Sequence, residues 1–188
     1  MNKPSPNQSE RSGLARRSLL YGAVAASATA IGLGLARRTG QWNTDGAGDS
    51  AGPAFWGLDF ETPQGQRLAM QSFSGNPLIL NFWATWCPPC IEEMPLLDRF
   101  FEENRGFGWQ VLGLAIDKQA AVTQFLGRNP VRFPVALAGL NGTDLGRSLG
   151  NNQGGLPFTV VFNAGGAIAH RKMGRVTPQE LEQWRTRS

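Results

Sequence analysis

Two kinds of hydrophobic pattern follow one another along the body of the chain. The continuous apolar runs Leu78–Trp83 and Trp109–Ile116 have the composition of strands buried on both faces. Between them, Pro88 to about Asn104 carries apolar residues at helical spacing, and a second helix is predicted from Ala120 to Arg128. A short strand is predicted at Phe133–Leu137. The order strand, helix, strand, helix, strand predicts a sheet that begins with a βαβ unit.

Turn signals predict a hairpin at each end of this pattern. Four segments form the two hairpins: Ala54–Phe60 with Arg67–Met70, and Pro157–Phe162 with Ala167–Met173. A short helix is predicted at Asp144–Leu149, and Thr177 with Glu180 forms a capping box that opens a terminal helix. We therefore predict one α/β domain over residues 54–188, with a mixed central sheet covered by helices on both faces.

The basic charge of the chain belongs to its N-terminal segment. The formal net charge is +4, but residues 1–38 hold six basic residues and one acidic residue, a net +5 that leaves −1 for the rest. The predicted domain thus has no basic stripe that would follow a phosphate backbone. No nucleic acid partner is expected.

The same N-terminal segment resembles an export signal or a membrane anchor. A basic n-region, 1–17, precedes an apolar segment, 18–36, and a linker rich in Gly, Asp and Ser runs over 37–53. The apolar segment is just long enough to cross a bilayer, but its many Ala and Gly residues make it weakly hydrophobic. With Arg16-Arg17 before it, it is similar to a twin-arginine signal. Cleavage or anchoring in the inner membrane would both leave the domain in the periplasm, with membrane contact only through 18–36 if uncleaved.

The chain has two cysteines, Cys87 and Cys90, which stand where the first apolar strand passes into a helix. A structural zinc site needs four Cys or His ligands, and His170 is the single histidine. A c-type haem attachment needs His directly after Cys90, where Ile91 stands. A structural bridge across so short a loop would stabilise the fold little. The pair is therefore predicted to be a redox disulfide couple, with no metal and no cofactor.

Two motifs carry a resemblance to a known family. The first is the stretch Asn81-Phe82-Trp83-Ala84-Thr85-Trp86-Cys87-Pro88-Pro89-Cys90, and the second is Gly155-Leu156-Pro157-Phe158-Thr159. They resemble the active-site turn and the cis-proline loop of exported thioredoxin-fold proteins of the TlpA/ResA type. The resemblance covers about residues 54–187. It implies a thioredoxin-like fold with an N-terminal β-hairpin extension and thiol-disulfide oxidoreductase activity.

The resemblance also implies a direction and partners. Such a protein reduces disulfides of specific protein substrates, of the kind found in cytochrome c maturation or copper-site assembly. A membrane thiol-disulfide donor supplies its electrons. Pro157 is expected to be cis and to face Cys87, with the Leu156 backbone offered to an extended substrate strand.

The roles of the two cysteines follow from their place on the helix. The dipole and the free amides at a helix N-terminus stabilise a thiolate, so Cys87 is the predicted nucleophile and Cys90 the resolving thiol. Pro88 and Pro89 have no N–H, which leaves the amides of Cys90 and Ile91 to donate to the Cys87 sulfur.

Three further residues near the pair are assigned roles. Glu93 lies three residues after Cys90 on the same helical face and is predicted to move a proton to or from the inner sulfur. Glu92, which is placed with it in the first turn, complements the helix dipole. Trp86 is expected to form an apolar rim for a partner. Asn81 stands where cytoplasmic thioredoxins carry a buried Asp, so that residue's proton-relay role is not transferred.

Two alternatives to a reductant are open at this point. An oxidant that forms disulfides would use the same cysteines and differ in its reduction potential. A non-catalytic copper-binding module would use Cys87 and Cys90 as soft ligands together with a methionine. Met70, Met94 and Met173 show no spacing that favours the copper site.

Overall fold

The computed structural model describes residues 52–187, whose strands form a seven-stranded sheet. The strands are β1 (Asp59–Glu61), β2 (Arg67–Ala69), β3 (Leu78–Trp83), β4 (Gln110–Ala115), β5 (Val135–Leu137), β6 (Phe158–Phe162) and β7 (Ile168–Met173). Their order across the sheet is β2-β1-β5-β4-β3-β6-β7. The pairs β3–β4 and β4–β5 are parallel, and the other pairs are antiparallel. The predicted mixed sheet with an N-terminal hairpin is confirmed.

Helices cover both faces of this sheet, as predicted. In the described part of the chain they are α1 (Gly52–Trp56), α2 (Pro88–Asn104), α3 (Gln119–Arg128), α4 (Gly142–Ser148) and α5 (Pro178–Arg187). The capping box that opens α5 is present: the Thr177 N–H donates to Glu180 Oε2 at 2.9 Å, and the Glu180 N–H donates to Thr177 Oγ1 at 3.2 Å. Both β3 and α2 have the predicted bounds, and the other boundaries of the βαβ part lie within two residues of the predicted ones.

Strand β3 lies in the middle of the core, and all of its residues are buried. Ile79 and Trp83 pack on the face covered by α2 and α5, whereas Leu80 and Phe82 pack on the opposite face. Side chains alternate between the faces of a strand. Asn81 therefore points to the same side as Ile79 and Trp83, under the active-site helix.

The predicted first strand, Ala54–Phe60, is wrong in its first half. The chain is helical up to Trp56, and Asp59–Glu61 form β1. Phe55 and Trp56 both contact Phe162, with ring centroids 5.1 and 5.2 Å away. Adjacent side chains of a strand point to opposite faces, so a helical turn is the conformation that brings both rings to Phe162.

Several predictions from the N-terminal sequence fall beyond the described residues. The n-region 1–17, the apolar segment 18–36 and all but the end of the linker 37–53 lie there. The last two linker positions belong to the start of α1. Over residues 52–187, no helix combines the length and the apolar composition that crossing a bilayer requires.

Gly113 in β4 lies against two buried aromatic rings. A Cβ at this position would be 3.0 Å from Phe133 Cε2 and 3.2 Å from Trp83 Nε1. We expect Gly113→Ala to lower the free energy of unfolding by about 1–3 kcal/mol, because the overpacked rings must shift. Urea unfolding measures the change.

The matched control is Gly127→Ala on the exposed side of α3, where a Cβ meets nothing within 4 Å. This change is expected to stabilise the protein by about 0.5–1 kcal/mol, because Ala loses less backbone entropy in a helix than Gly. Equal effects of the two substitutions would contradict the packing argument.

Candidate active site

Cys87 and Cys90 are joined by a disulfide at the N-terminal end of α2. Cys87 is the N-cap residue and Cys90 lies in the first turn, with their Cα atoms 5.3 Å apart. Their exposed fractions are 4% and 0%, so the inner sulfur is fully enclosed. The strand-to-helix junction thus holds an oxidised cysteine pair near the surface.

The amides that were expected to donate to the Cys87 sulfur are used elsewhere. The Cys90 and Ile91 N–H groups donate to the Cys87 carbonyl oxygen at 3.1 and 3.2 Å, and the Cys87 side chain makes no capping hydrogen bond. These bonds belong to the disulfide state, whereas the expectation concerns the Cys87 thiolate, so it stays a prediction. The helix dipole favours a thiolate at this position whichever acceptor these amides use.

The residues around the pair form a mixed surface. Trp86 is 66% exposed, Pro88 is exposed and Pro89 is half-buried. The Leu156–Pro157 peptide bond is cis, as the resemblance implied. Leu156 is half-buried and Pro157 is buried directly before β6. Because β6 starts opposite the end of β3, this loop lies at the same edge of the sheet as the cysteines.

Glu93 is a buried carboxyl group with a hydrogen bond to each oxygen. Its exposed fraction is 1%. Oε1 accepts from Asn81 Nδ2 at 2.8 Å and Oε2 accepts from the Val176 N–H at 2.9 Å. Burial raises the pKa of Glu93, although both hydrogen bonds and the Arg175 cation act in the opposite direction. The neutral form of Glu93 is therefore more favoured than that of an exposed glutamate.

The partners of Glu93 are set by the sheet. Asn81 pairs with Thr159 across β3 and β6, and its Nδ2 also donates to Thr159 Oγ1 at 3.1 Å. Sequence reasoning missed this contact. The available signal was that Asn81 is the single polar residue inside the apolar run Leu78–Trp83. It lies two residues before Trp83, so both side chains point to the same face of the sheet.

The two glutamates do not lie in the first turn of the helix, contrary to the prediction. Because α2 begins at Pro88, Glu92 and Glu93 lie on its second turn. Glu92 is exposed, and its Oε2 is 2.5 Å from Arg175 Nη1. Of these two adjacent acidic residues, Glu92 is therefore exposed to solvent, whereas Glu93 is buried on the inner side of the helix.

The remaining candidate ligands are scattered. Met94 and Met70 pack in cores on opposite faces of the sheet, and Met173 is exposed on β7. His170 is half-buried and stacks on Trp184 at 5.9 Å; burial lowers its pKa. Among residues 52–187, no three His, Cys, Asp or Glu side chains are grouped as a metal site would need.

A family model named Redoxin matches residues 46–184, well over half of the chain. The chain belongs to the Redoxin family. A relative from Halalkalibacterium halodurans, named thiol-disulfide oxidoreductase ResA, is 30% identical over 126 residues, which cover 66% of this chain and 69% of that protein. This Redoxin-family chain is a thiol-disulfide oxidoreductase of the ResA type.

Solved structures agree with the fold of this Redoxin-family domain. A thioredoxin-related protein from Neisseria meningitidis serogroup B superposes with a TM-score of 0.60 at 27% identity, covering 68% of this chain and 99% of that chain. A thiol:disulfide interchange protein from Chlorobium tepidum gives a TM-score of 0.63 at 23% identity, covering 75% and 96%. The second likeness shows the thioredoxin-like fold alone.

The raised pKa of Glu93 makes the stability of the protein depend on pH. A carboxyl group whose pKa is higher in the folded than in the unfolded protein adds stability at low pH, and this is lost as pH rises through the folded pKa. The Glu93→Gln variant has no ionisable side chain at this position, so this pH dependence is absent from it. The unfolding free energy of wild type minus that of the variant should therefore fall between the ordinary Glu pKa and the raised one, by about 1.4 kcal/mol per unit of pKa difference.

Urea unfolding at a series of pH values measures this difference. Glu92→Gln, at the exposed neighbour, is the control and should retain the Glu93-linked slope of the wild type. A difference between wild type and the Glu93→Gln variant that stays constant with pH would contradict the assignment of the titration to Glu93.

Proposed function

We propose that this protein reduces disulfides of specific protein partners outside the cytoplasm, with Cys87 as nucleophile and Cys90 as resolving thiol. The observation that carries the proposal is the disulfide at the N-terminal end of α2, where the helix dipole favours the thiolate of Cys87. Membership of the Redoxin family and the likeness to ResA support thiol-disulfide exchange as the chemistry.

The reaction begins with the reduced protein. The Cys87 thiolate attacks one sulfur of the partner's disulfide, and the partner's other sulfur leaves as a thiolate that takes up a proton. The Cys90 thiol then loses its proton, and its sulfur attacks the Cys87 sulfur. The partner's second sulfur leaves and is protonated, so the partner has gained two electrons from the cysteine pair and two protons, one balancing that lost by Cys90 and one taken from solvent. A membrane dithiol donor then reduces the Cys87–Cys90 disulfide again.

Resolution requires a proton acceptor for Cys90, and we assign this role to Glu93. The Cys90 side chain is fully buried in the disulfide form, which favours a proton acceptor within the protein over bulk water. Glu93 lies at i+3 on the same helix, and its carboxyl group is enclosed with a raised pKa. A nearby carboxylate also raises the pKa of a thiol, which keeps Cys90 protonated until the mixed disulfide forms.

Partner binding is assigned to the surface around the nucleophile. The exposed indole of Trp86 offers an apolar contact beside Cys87, and exposed aromatic rings with a polar edge are typical of protein interfaces. The Leu156 backbone, before the cis Pro157, is assigned to an extended segment of the substrate. Pro88 and Pro89 occupy the positions between the cysteines and are assigned to tuning the couple.

Export is part of the proposal. Residues 1–17 and 18–36 act as a twin-arginine-like signal or an inner-membrane anchor, and 37–53 connects them to the domain over 54–188. The domain then works in the periplasm, where disulfides persist unless a dedicated reductant removes them. Proteins of cytochrome c maturation or copper-site assembly are the proposed class of substrate.

The direction of electron flow follows from the reduction potential of the full-length protein. Equilibration with glutathione or dithiothreitol buffers should give a value near or below that of thioredoxin, about −270 mV. A reductant must have a reduction potential below that of the disulfide that it reduces. The Cys90→Ser variant, which cannot form the intramolecular bridge, should show no such transition. A value near −120 mV would assign the protein to disulfide formation instead.

The role of Glu93 predicts different effects of two adjacent substitutions. Glu93→Gln should slow resolution of the mixed disulfide by about tenfold or more at neutral pH, because general base catalysis contributes on this scale or above. Stopped-flow measurement with a disulfide-bonded peptide follows the reaction. Glu92→Gln, which removes the exposed charge paired with Arg175, should stay within about twofold of wild type. The same rate in both variants would remove Glu93 from the mechanism.

A further inference from the structure

Asp117 makes a two-donor contact with the turn that precedes the cysteines. Its Oδ2 accepts from the Thr85 N–H at 2.9 Å and from the Thr85 hydroxyl at 2.6 Å. Its Oδ1 accepts from the Lys118 N–H at 2.7 Å. One half-buried carboxylate thus accepts from both the backbone N–H and the hydroxyl of a residue two positions before Cys87.

The fold brings Asp117 and Thr85 together because β3 and β4 are parallel neighbours. Trp83 and Ala115 are register partners at the ends of the two strands, and the Ile116 N–H donates to the Trp83 carbonyl at 2.8 Å. Thr85 and Asp117 lie two residues beyond these strand ends, where the backbone hydrogen bonds between β3 and β4 have ended. The side chain of Asp117 there takes the place of a ladder partner for Thr85.

The turn held in this way carries the nucleophile. The Cys87 N–H donates to the Ala84 carbonyl at 3.2 Å, which closes a four-residue turn with Thr85 and Trp86 at its centre. Cys87 follows as the N-cap of α2, and Trp86 projects into solvent. The conformation of Thr85 therefore fixes where the Cys87 backbone lies relative to the helix that holds Cys90.

The charge of Asp117 favours a stable contact with Thr85. Burial alone favours its protonation, but the hydrogen bonds from Thr85 and Lys118 outweigh burial and hold the pKa of Asp117 below its ordinary value. The carboxylate is ionised at neutral pH. Hydrogen bonds to an ionised acceptor are about twice as strong as bonds between neutral groups.

We propose that Asp117 is a positioning residue of the redox couple: through Thr85 it holds the active-site turn in the conformation in which Cys87 and Cys90 form their disulfide. This inference rests on the proposed thiol-disulfide exchange at the same pair. When the contact is removed, the turn of the reduced protein samples more conformations, and each thiol meets the other less often. The effective concentration of Cys90 toward Cys87 falls, so the disulfide becomes easier to reduce.

The test compares disulfide equilibria of full-length variants in glutathione redox buffers. Asp117→Ala should lower the equilibrium constant for forming the Cys87–Cys90 disulfide by about tenfold, which makes the reduction potential about 30 mV less negative. Thr85→Val retains the charge of Asp117 and the backbone donor but loses the hydroxyl bond. It should shift the constant in the same direction by about threefold, half the free energy of the full loss.

Asp98→Ala is the matched control. Asp98 is also a half-buried carboxylate whose Oδ1 accepts a backbone N–H, that of Arg132 at 2.6 Å, but it lies on the second half of α2. Its loss should lower the unfolding free energy in urea as the loss of Asp117 does, without moving the disulfide equilibrium. A shift in the Asp98 variant equal to that in the Asp117 variant would make the effect one of general stability and would overturn the inference.

The pH dependence of Cys87 alkylation by iodoacetamide separates position from charge. Removing a nearby negative charge lowers the pKa of a thiol and also favours the reduced state. If the Cys87 pKa shift accounts for the whole effect of Asp117→Ala, and Thr85→Val has none, the positioning role is overturned. A wild-type protein that does not exchange with glutathione overturns the proposed function together with the inference. A wild type that exchanges while both variants match it overturns the inference alone.

Discussion

The arrangement of the active site depends on the two hydrogen bonds that the buried Glu93 carboxyl group accepts. A buried carboxyl group is tolerated when its oxygens are hydrogen-bonded, and an uncompensated one costs several kcal/mol. Glu93 meets this condition through Asn81 of β3 and the backbone of Val176, just before α5. The contact therefore joins the central strand, the active-site helix and the last connection of the fold. Asn81 extends it to β6 through Thr159.

The two cysteines occupy different positions on the helix that carries Glu93. Cys87 lies at the positive end of the helix dipole, whereas Cys90 lies one turn inward on the face that carries Glu93. A helix dipole favours a negative charge at the N-terminal end of the helix, whereas burial disfavours a charge further inside. Groups whose environments move their pKa values apart are suited to different roles in one reaction. The positions of the two sulfurs on this helix therefore suit the different roles proposed for them.

The sequence predicts the scaffold of this site better than its contacts. The bounds of β3 and α2 follow from local signals, since an apolar run of strand length ends at a proline pair that opens a helix. The first half of the strand expected at Ala54–Phe60 is wrong because Phe55 and Trp56 pack on Phe162, about a hundred residues away. Periodicity carries no information on such distant partners.

The polar contacts that the sequence did not predict also join residues that are distant along the chain. Asn81 meets Thr159 because of the register between β3 and β6, and Thr85 meets Asp117 because β3 and β4 are parallel and in step. Either register displaced by one residue would turn the partner to the other face of the sheet.

Contacts on both sides hold the cysteine segment. Before Cys87, Thr85 is bound by Asp117 from the neighbouring strand; after Cys90, Glu93 is bound by Asn81 and Val176. The exposed pair of Glu92 and Arg175 beside the second contact contributes little, since surface ion pairs are typically worth about 0–1 kcal/mol. Position is therefore set by partly and fully buried polar groups that have few alternative partners. A cysteine pair held at both ends loses little conformational freedom when its disulfide forms, and this favours formation of the disulfide.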